Sequence, residues 1–297
     1  MVTIGFVGLG VMGGTIARRL LRAGYVVQGY NRTPSKATAL QGSGLTPQPT
    51  PRDAAHGAAV VFSMVSDGDA LAQVCQGEDG ILAGLGPEAI YVDLSTVGPV
   101  ASESARAATR DHGARFLAAP VSGSVSTIEE GRLSFMVGGD EQTLDEVRPV
   151  LLDIGPVITY VGTVEQAAAM KMAVNLSVAI QMIAFSEGVL LAERYGIERD
   201  QSVDVLLHSV VASPMLAYRG RFLLDPPKDP WFTVALGRKD LRIMLDMAER
   251  ANLPLWSAAA AAPILAAAEA LGYGQAELAS VADALTTMSG GSACTSG

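Results

Sequence analysis

Cysteine, histidine and positive charge are all scarce in this 297-residue chain, which holds two Cys, three His and 21 Lys plus Arg against 30 Asp plus Glu. Cys75 and Cys294 lie far apart in sequence, so they give no metal-ligand spacing and read most simply as reduced thiols of a cytoplasmic protein. His56, His112 and His208 are scattered, with neither an H-x-x-x-H pair nor a nearby cysteine, and no metal site is expected. The net charge of −9 argues against nucleic acid, whose binding needs clustered cations. It still permits an anionic small ligand, because a site needs only a local field. The opening MVTIGFVGLG lacks the basic segment of a signal peptide. Alanine-rich runs such as 258–262 are broken by Pro263, so no apolar span of membrane length and no membrane partner are expected. There is no G-x-S-x-G elbow and no Walker lysine, which removes two common classes of enzyme.

What is present is a large apolar content, 49% hydrophobic against 17% charged, enough to build a sizeable core. The first half alternates short apolar runs with helical patterns. Strands are predicted at 4–7, 25–30, 59–64, 90–93 and 115–119, with 134–138 and 157–162 extending the sheet. Helices between them, such as 12–23 and 100–112, imply a parallel, doubly wound α/β domain over 1–162. One long helix is predicted over 164–195, ended by Gly196, and further helices at 200–208, 232–251, 255–271 and 275–287. An all-helical domain is therefore expected over 163–290, with a loose Gly/Ser/Thr tail over 291–297.

The stretch IGFVGLGVMGGTIARRL places Gly8, Gly10 and Gly13 between the first strand and the first helix. Gly8 permits a tight turn, Gly10 a close approach of backbone to pyrophosphate, and Gly13 close helix–strand packing. Leu9, Val11 and Met12 complete this loop, and the helix start offers free N–H groups to an anion. After the second strand an acid would hold the ribose 2′-hydroxyl of NAD, but the chain reads GYNRTPSK. Arg32 offers a planar fork for a 2′-phosphate, with Asn31 and Thr33 as further donors, so NADP(H) is expected before NAD(H).

Four further segments follow in order: YVDLSTVGP (91–99), APVSGSVSTIEEGRLSFMVGG (119–139), AAAMKMAVNL (167–176) and GRKDLRIM (237–244). With the glycine loop, they make the chain resemble the β-hydroxyacid dehydrogenases, a family that includes 3-hydroxyisobutyrate dehydrogenase and tartronate semialdehyde reductase. The resemblance implies a Rossmann domain followed by a helical domain, with Lys171 as the catalytic residue. It implies that Asn175 helps to hold the substrate and that the segment around Ser122 and Gly123 cradles a substrate carboxylate, with Ser124 in place of the family's second glycine. It also implies that Thr96 lies near the nicotinamide, that Lys239 closes over the cofactor, and that Val65 and Ser66 flank the adenosine and ribose. A homodimer or homotetramer through the helical domain is the family expectation, and the Ala- and Met-rich helix faces agree with it.

The chemistry is consistent with these residues. A lone lysine on a helix is ordinarily a snorkelling edge residue. Lys171, however, is the single charge in 166–185, and burial among Ala167, Ala168, Met170, Met172 and Val174 would lower its pKa from ~10.4 towards neutrality. It could then protonate a developing alkoxide, or take the proton back in oxidation. Asn175 follows one turn later on the same face. The pocket wall departs from the family pattern: Ala118 precedes Ala119, Thr127, Ile128, Glu129 and Glu130 replace small residues, Ala167 replaces a glycine, and Val174 replaces the first of two asparagines. The expected function is NADP(H)-dependent hydride transfer to or from a small β-hydroxy acid or its semialdehyde. An imine reductase and a non-catalytic NADP(H)-binding module are the alternatives.

Overall fold

The computed structural model describes residues 2–290, so the expected tail over 291–297, with Cys294, lies outside the described residues. The chain divides into two compact units, one through Met172 and one from Ala173.

The first unit begins β1 Thr3–Val7, α1 Val11–Arg22, β2 Val26–Tyr30, α2 Pro34–Thr38, β3 Thr46–Pro47, α3 Pro51–Ala55 and β4 Val60–Ser63. It continues with α4 Gly68–Cys75, α5 Ile81–Gly84, β5 Ile90–Asp93, α6 Pro99–Asp111, β6 Arg115–Ala118 and β7 Val121–Ser122. Next come α7 Val125–Glu129, β8 Ser134–Gly139, α8 Glu141–Ile154 and β9 Val157–Gly162. Among the described residues these strands form one sheet in the order β3-β2-β1-β4-β5-β6-β8-β7, with β9 paired to β8. Each residue of β4 and β5 is buried, as expected where helices cover both faces of a parallel sheet. One core joins Ile4, Phe6, Phe62, Val92 and Leu117 to Ile16 and Leu20 of α1. A second lies under Val61, Tyr91 and Phe116 and takes in Leu71 and Ala105 of α4 and α6.

The sheet has the expected parallel, doubly wound character from β3 to β6, and β8 departs from it. β8 runs antiparallel to both β6 and β7. The cause is the connection: α7 has five residues, and at ~1.5 Å per residue it cannot carry the chain back along the sheet for a parallel return. β3 and β7 were not anticipated, because two-residue strands have no readable alternation.

α9 Val164–Arg194 is the long helix that the sequence predicts. Its start supplies Val164 and Ala167 to the second core of the first unit, which is why the compact division falls inside the helix. Its most apolar window has a mean hydropathy of 1.6, long and apolar enough by composition to cross a membrane, contrary to the expectation that no such span exists. In this fold 39% of that window is buried, with Met172, Ala179, Met182, Phe185 and Val189 packed as protein core.

The second unit carries α10 Arg199–Leu207, α11 Pro214–Arg219, α12 Val234–Arg250, α13 Trp256–Ala270 and α14 Val281–Met288. Among the described residues it holds no strand beyond an isolated bridge between Thr233 and Glu277. α12 starts later than expected, because the Thr233 hydroxyl accepts from the N–H of Leu236 and caps it. The helix expected over 275–287 is also shorter: two 3-10 turns, 273–275 and 278–280, precede α14. Glu277 is withdrawn from helical geometry there, since its buried carboxylate pairs with Arg219 and accepts from the N–H groups of Trp231 at 2.8 Å and Phe232 at 3.2 Å. Arg199 pins the end of α9 to α14, bonding Glu193 at 2.7 Å and Asp283 at 3.0 Å.

Candidate active site

The glycine loop is built by the turn from β1 into α1. Gly8 adopts φ +100°, and a Cβ there would stand 2.1 Å from the Met64 carbonyl oxygen, so only glycine fits. A Cβ on Gly13 would reach 2.0 Å from the Gly8 carbonyl oxygen, which fixes how closely α1 sits on the loop. At Gly10, the N-cap of α1, a Cβ would meet nothing within 4 Å, so the backbone is open to a close ligand. The first turn of α1 has no acidic residue and no side-chain cap on its N–H groups, leaving the positive end of the helix for an anion. These residues fit a dinucleotide pyrophosphate.

Asn31 does more than border this loop. Its Oδ1 accepts the N–H of Leu9 at 2.9 Å and its Nδ2 donates to the Thr33 carbonyl at 3.1 Å, so it braces the glycine loop against the end of β2. Arg32 and Thr33 are exposed beside it.

The ends of β4 and β5 carry a buried polar chain that reading the sequence did not single out. Oδ1 of Asp93 accepts from the hydroxyls of Ser63 and Ser95, both at 2.6 Å, and from the N–H of Ser95 at 3.2 Å. Tyr91 bonds Ser63 at 2.9 Å, and the N–H of Val65 donates to Ser95 Oγ at 2.9 Å. Burial pushes the Asp93 carboxyl up, a rise opposed by the Ser63 and Ser95 donors. Burial, and then the Asp93 charge, raise the Tyr91 phenol well above its ordinary value. The same two causes push the Cys75 thiol up to about 12. Thr96 is half-buried after Ser95, and Ser66 is exposed, its hydroxyl bonding Asp67 at 2.7 Å. The readable signal was an acid at the end of a strand just before Leu94-Ser95-Thr96.

The loop at 122–124 leaves β7 with Ser122 half-buried and Gly123 exposed. Gly123 adopts φ +144°, and a Cβ there would meet the Thr127 hydroxyl. Ser124 is buried and fully engaged locally: its N–H donates to Thr127 Oγ1 at 2.5 Å and its hydroxyl pairs with Ser126 at 2.8 Å. This leaves Ser122 and the Gly123 backbone as the polar groups of the loop that the solvent reaches.

Lys171 is 8% exposed and Asn175 6%, so α9 holds an ammonium and an amide out of water one turn apart. Asn175 Nδ2 donates to Asp240 Oδ2 at 2.6 Å, and Lys239 Nζ lies 3.1 Å from the other oxygen of the same carboxylate. Asp240, buried on α12, is a second residue that the sequence reading passed over, although it follows Lys239 directly. Among the described residues, no group of three or more His, Cys, Asp or Glu is placed to hold a metal ion.

Residues 3–162 match the family described as the NAD-binding domain of 6-phosphogluconate dehydrogenase. Residues 166–285 match the family described as NAD-binding of NADP-dependent 3-hydroxyisobutyrate dehydrogenase. The chain belongs to the 3-hydroxyisobutyrate dehydrogenase family. It is an NAD(P)-dependent oxidoreductase of the hydroxyacid dehydrogenase type. It is 33% identical over 284 residues to the chloroplastic glyoxylate/succinic semialdehyde reductase 2 of Arabidopsis thaliana, covering 96% of this chain and 79% of that one. Among solved structures, the 3-hydroxyisobutyrate dehydrogenase of Mycobacterium tuberculosis with L-serine superposes with a TM-score of 0.79 at 30% identity, covering 96% of this chain and 99% of that one. Psf3 in complex with NADP+ and 2-OPP superposes with a TM-score of 0.86 at 26% identity, covering 95% and 99%.

Proposed function

We propose that the chain transfers hydride between NADP(H) and the carbonyl or hydroxyl carbon of a small β-hydroxy acid or its semialdehyde, with Lys171 as general acid and base. The observation that carries this reading is the buried pair on α9: Lys171, with Asn175 one turn on and its amide oriented by Asp240. When bound, the cofactor supplies the hydride. Lys171 supplies the matching proton to the developing alkoxide oxygen in reduction, and its neutral amine accepts that proton in oxidation. Asn175 holds the reacting oxygen: Asp240 takes one N–H of Nδ2, which leaves the second N–H as a donor to a carbonyl or alkoxide oxygen and the amide oxygen as an acceptor for a substrate hydroxyl.

Ser122 and Gly123 bind the substrate carboxylate through a hydroxyl and backbone N–H groups, which need no formal charge of their own. Ser124 shapes this loop rather than donating from its own N–H, which Thr127 already occupies. The relatives named for glyoxylate and succinic semialdehyde, and the relative solved with L-serine, support a small carboxylate-bearing substrate.

The pyrophosphate rests on Gly8 to Gly13, with Leu9, Val11 and Met12 in the loop. Val65, Ser66 and Thr96 line the nucleoside and nicotinamide side, and Lys239 closes over the cofactor. Arg32, exposed at the end of β2 where an acid would suit NAD, supports NADP(H). The relative solved with NADP+ supports the same choice. The helical unit leaves Trp256 81% and Leu191 63% exposed, which supports a homodimer or homotetramer through that unit.

The test is NADPH consumption across a panel of three- and four-carbon semialdehydes. Turnover on at least one carboxylate-bearing member, lost when the carboxylate is replaced by an amide, is the expected result. Equal turnover of acid and amide would remove Ser122 and Gly123 from the account.

A further inference from the structure

We propose that Asp93 is a positioning residue for the cofactor, acting through Ser95 to hold the loops after β4 and β5 as one rigid wall. The inference rests on the reading of Val65, Ser66 and Thr96 as cofactor-side residues. It adds a residue that touches none of the reactants.

The N–H of Val65 leaves β4 and donates to Ser95 Oγ at 2.9 Å, and that hydroxyl donates in turn to Asp93 Oδ1 at 2.6 Å. Ser63, the last residue of β4, donates to the same oxygen at 2.6 Å. A single carboxylate oxygen therefore clamps the ends of two adjacent strands, one bond reaching β4 directly and one reaching the loop beyond it. Thr96 follows the clamp on one strand, and Val65 and Ser66 follow on the other.

Water does not compete for these bonds, because Ser63 is fully buried, Asp93 is 1% exposed and Ser95 3%. Three donors on one oxygen are strong in such surroundings, since two partners are hydroxyls at short distance and the acceptor is a carboxylate. A sheet does not need this arrangement for its own stability: β4 and β5 are already paired from Val60–Ile90 to Ser63–Asp93. What the clamp adds lies beyond the last ladder pair, where the loop after β4 borders the end of β1 and the glycine turn. Gly8 packs directly on the Met64 carbonyl there, so a shift of this wall would move the glycine loop too. Removing the Ser95 hydroxyl cuts the link from Asp93 to Val65 and leaves the Ser63 bond in place.

The experiment compares wild type, Ser95→Ala, Asp93→Ala and Asp93→Asn by fluorescence titration with NADPH, by steady-state kinetics and by thermal melting. Ser95→Ala is expected to raise the NADPH Kd and the cofactor KM by about tenfold, the equivalent of one strong hydrogen bond. Its kcat at saturating NADPH, the carbonyl KM and the Tm should move far less. Asp93→Asn keeps an acceptor oxygen and should recover most of the affinity lost in Asp93→Ala. Wild-type NADPH affinity in Ser95→Ala would overturn the proposal, as would a parallel fall in every kinetic parameter with the Tm. If wild type itself binds neither NADPH nor NADH, the cofactor reading fails and this proposal falls with it.

Discussion

Asn175 Nδ2 donates to Asp240 Oδ2 at 2.6 Å, a buried bond between positions 65 residues apart on α9 and α12. An ionised carboxylate only accepts, so it fixes which end of the amide faces it. Asp240→Ala should therefore free the Asn175 amide to rotate and leave it unpaired. A charged hydrogen bond of this kind is worth ~1.5–3 kcal/mol, so kcat/KM for the carbonyl substrate should fall by about 10- to 100-fold. Steady-state kinetics at saturating NADPH measure this, and a change smaller than about twofold would separate Asp240 from substrate binding.

Arg32 is proposed to set the cofactor choice. Arg32→Ala should lower the ratio of kcat/KM with NADPH to that with NADH by about tenfold, because a phosphate loses its charged donor and NADH loses nothing. A wild-type preference for NADH would contradict the assignment.

Much of this was legible from sequence because the signals were local. Gly8, Gly10 and Gly13 occur between an apolar run and a helical pattern, a spacing visible within those few residues. Lys171 stood out because no other charge lies near it on α9. What escaped were groups whose meaning depends on partners distant in the chain. Asp93 looks like any acid at a strand end until Ser63, 30 residues earlier, is seen to donate to it. Asp240 reads as part of a charged helix face until Asn175 is found against it. The antiparallel return of β8 was hidden for a similar reason: a periodic pattern marks a strand and not its direction.

Arg219 and Glu277 form an ion pair with 5% and 1% of their side chains exposed. Removing one partner strands the other charge away from water, at a cost of ~3–5 kcal/mol. Arg219→Met should lose about that much stability in urea unfolding monitored by circular dichroism. A loss below ~1 kcal/mol would mean that Glu277 is held by the Trp231 and Phe232 N–H groups alone.

Cys75 should be inert in the folded protein. In a Cys294→Ser background, a disulfide reagent at pH 8 should leave the native chain unmodified and label it promptly in urea. The thiol moves from 9.0 to about 12 on folding. Between those values the unfolded chain has released this proton and the folded chain has kept it. Its contribution to stability is therefore intact below pH 9 and declines as pH rises towards 12. Rapid labelling of native protein at pH 8 would contradict the burial on which this rests.

In the proposed reaction Lys171 moves the proton. The direct measurement is turnover of Lys171→Ala at saturating NADPH and substrate, with NADPH affinity determined on the same preparation by fluorescence titration. The kcat should fall by roughly 10²–10⁴-fold with the NADPH Kd unchanged within about twofold. Wild-type turnover in Lys171→Ala, with the protein folded and NADPH bound, would contradict it.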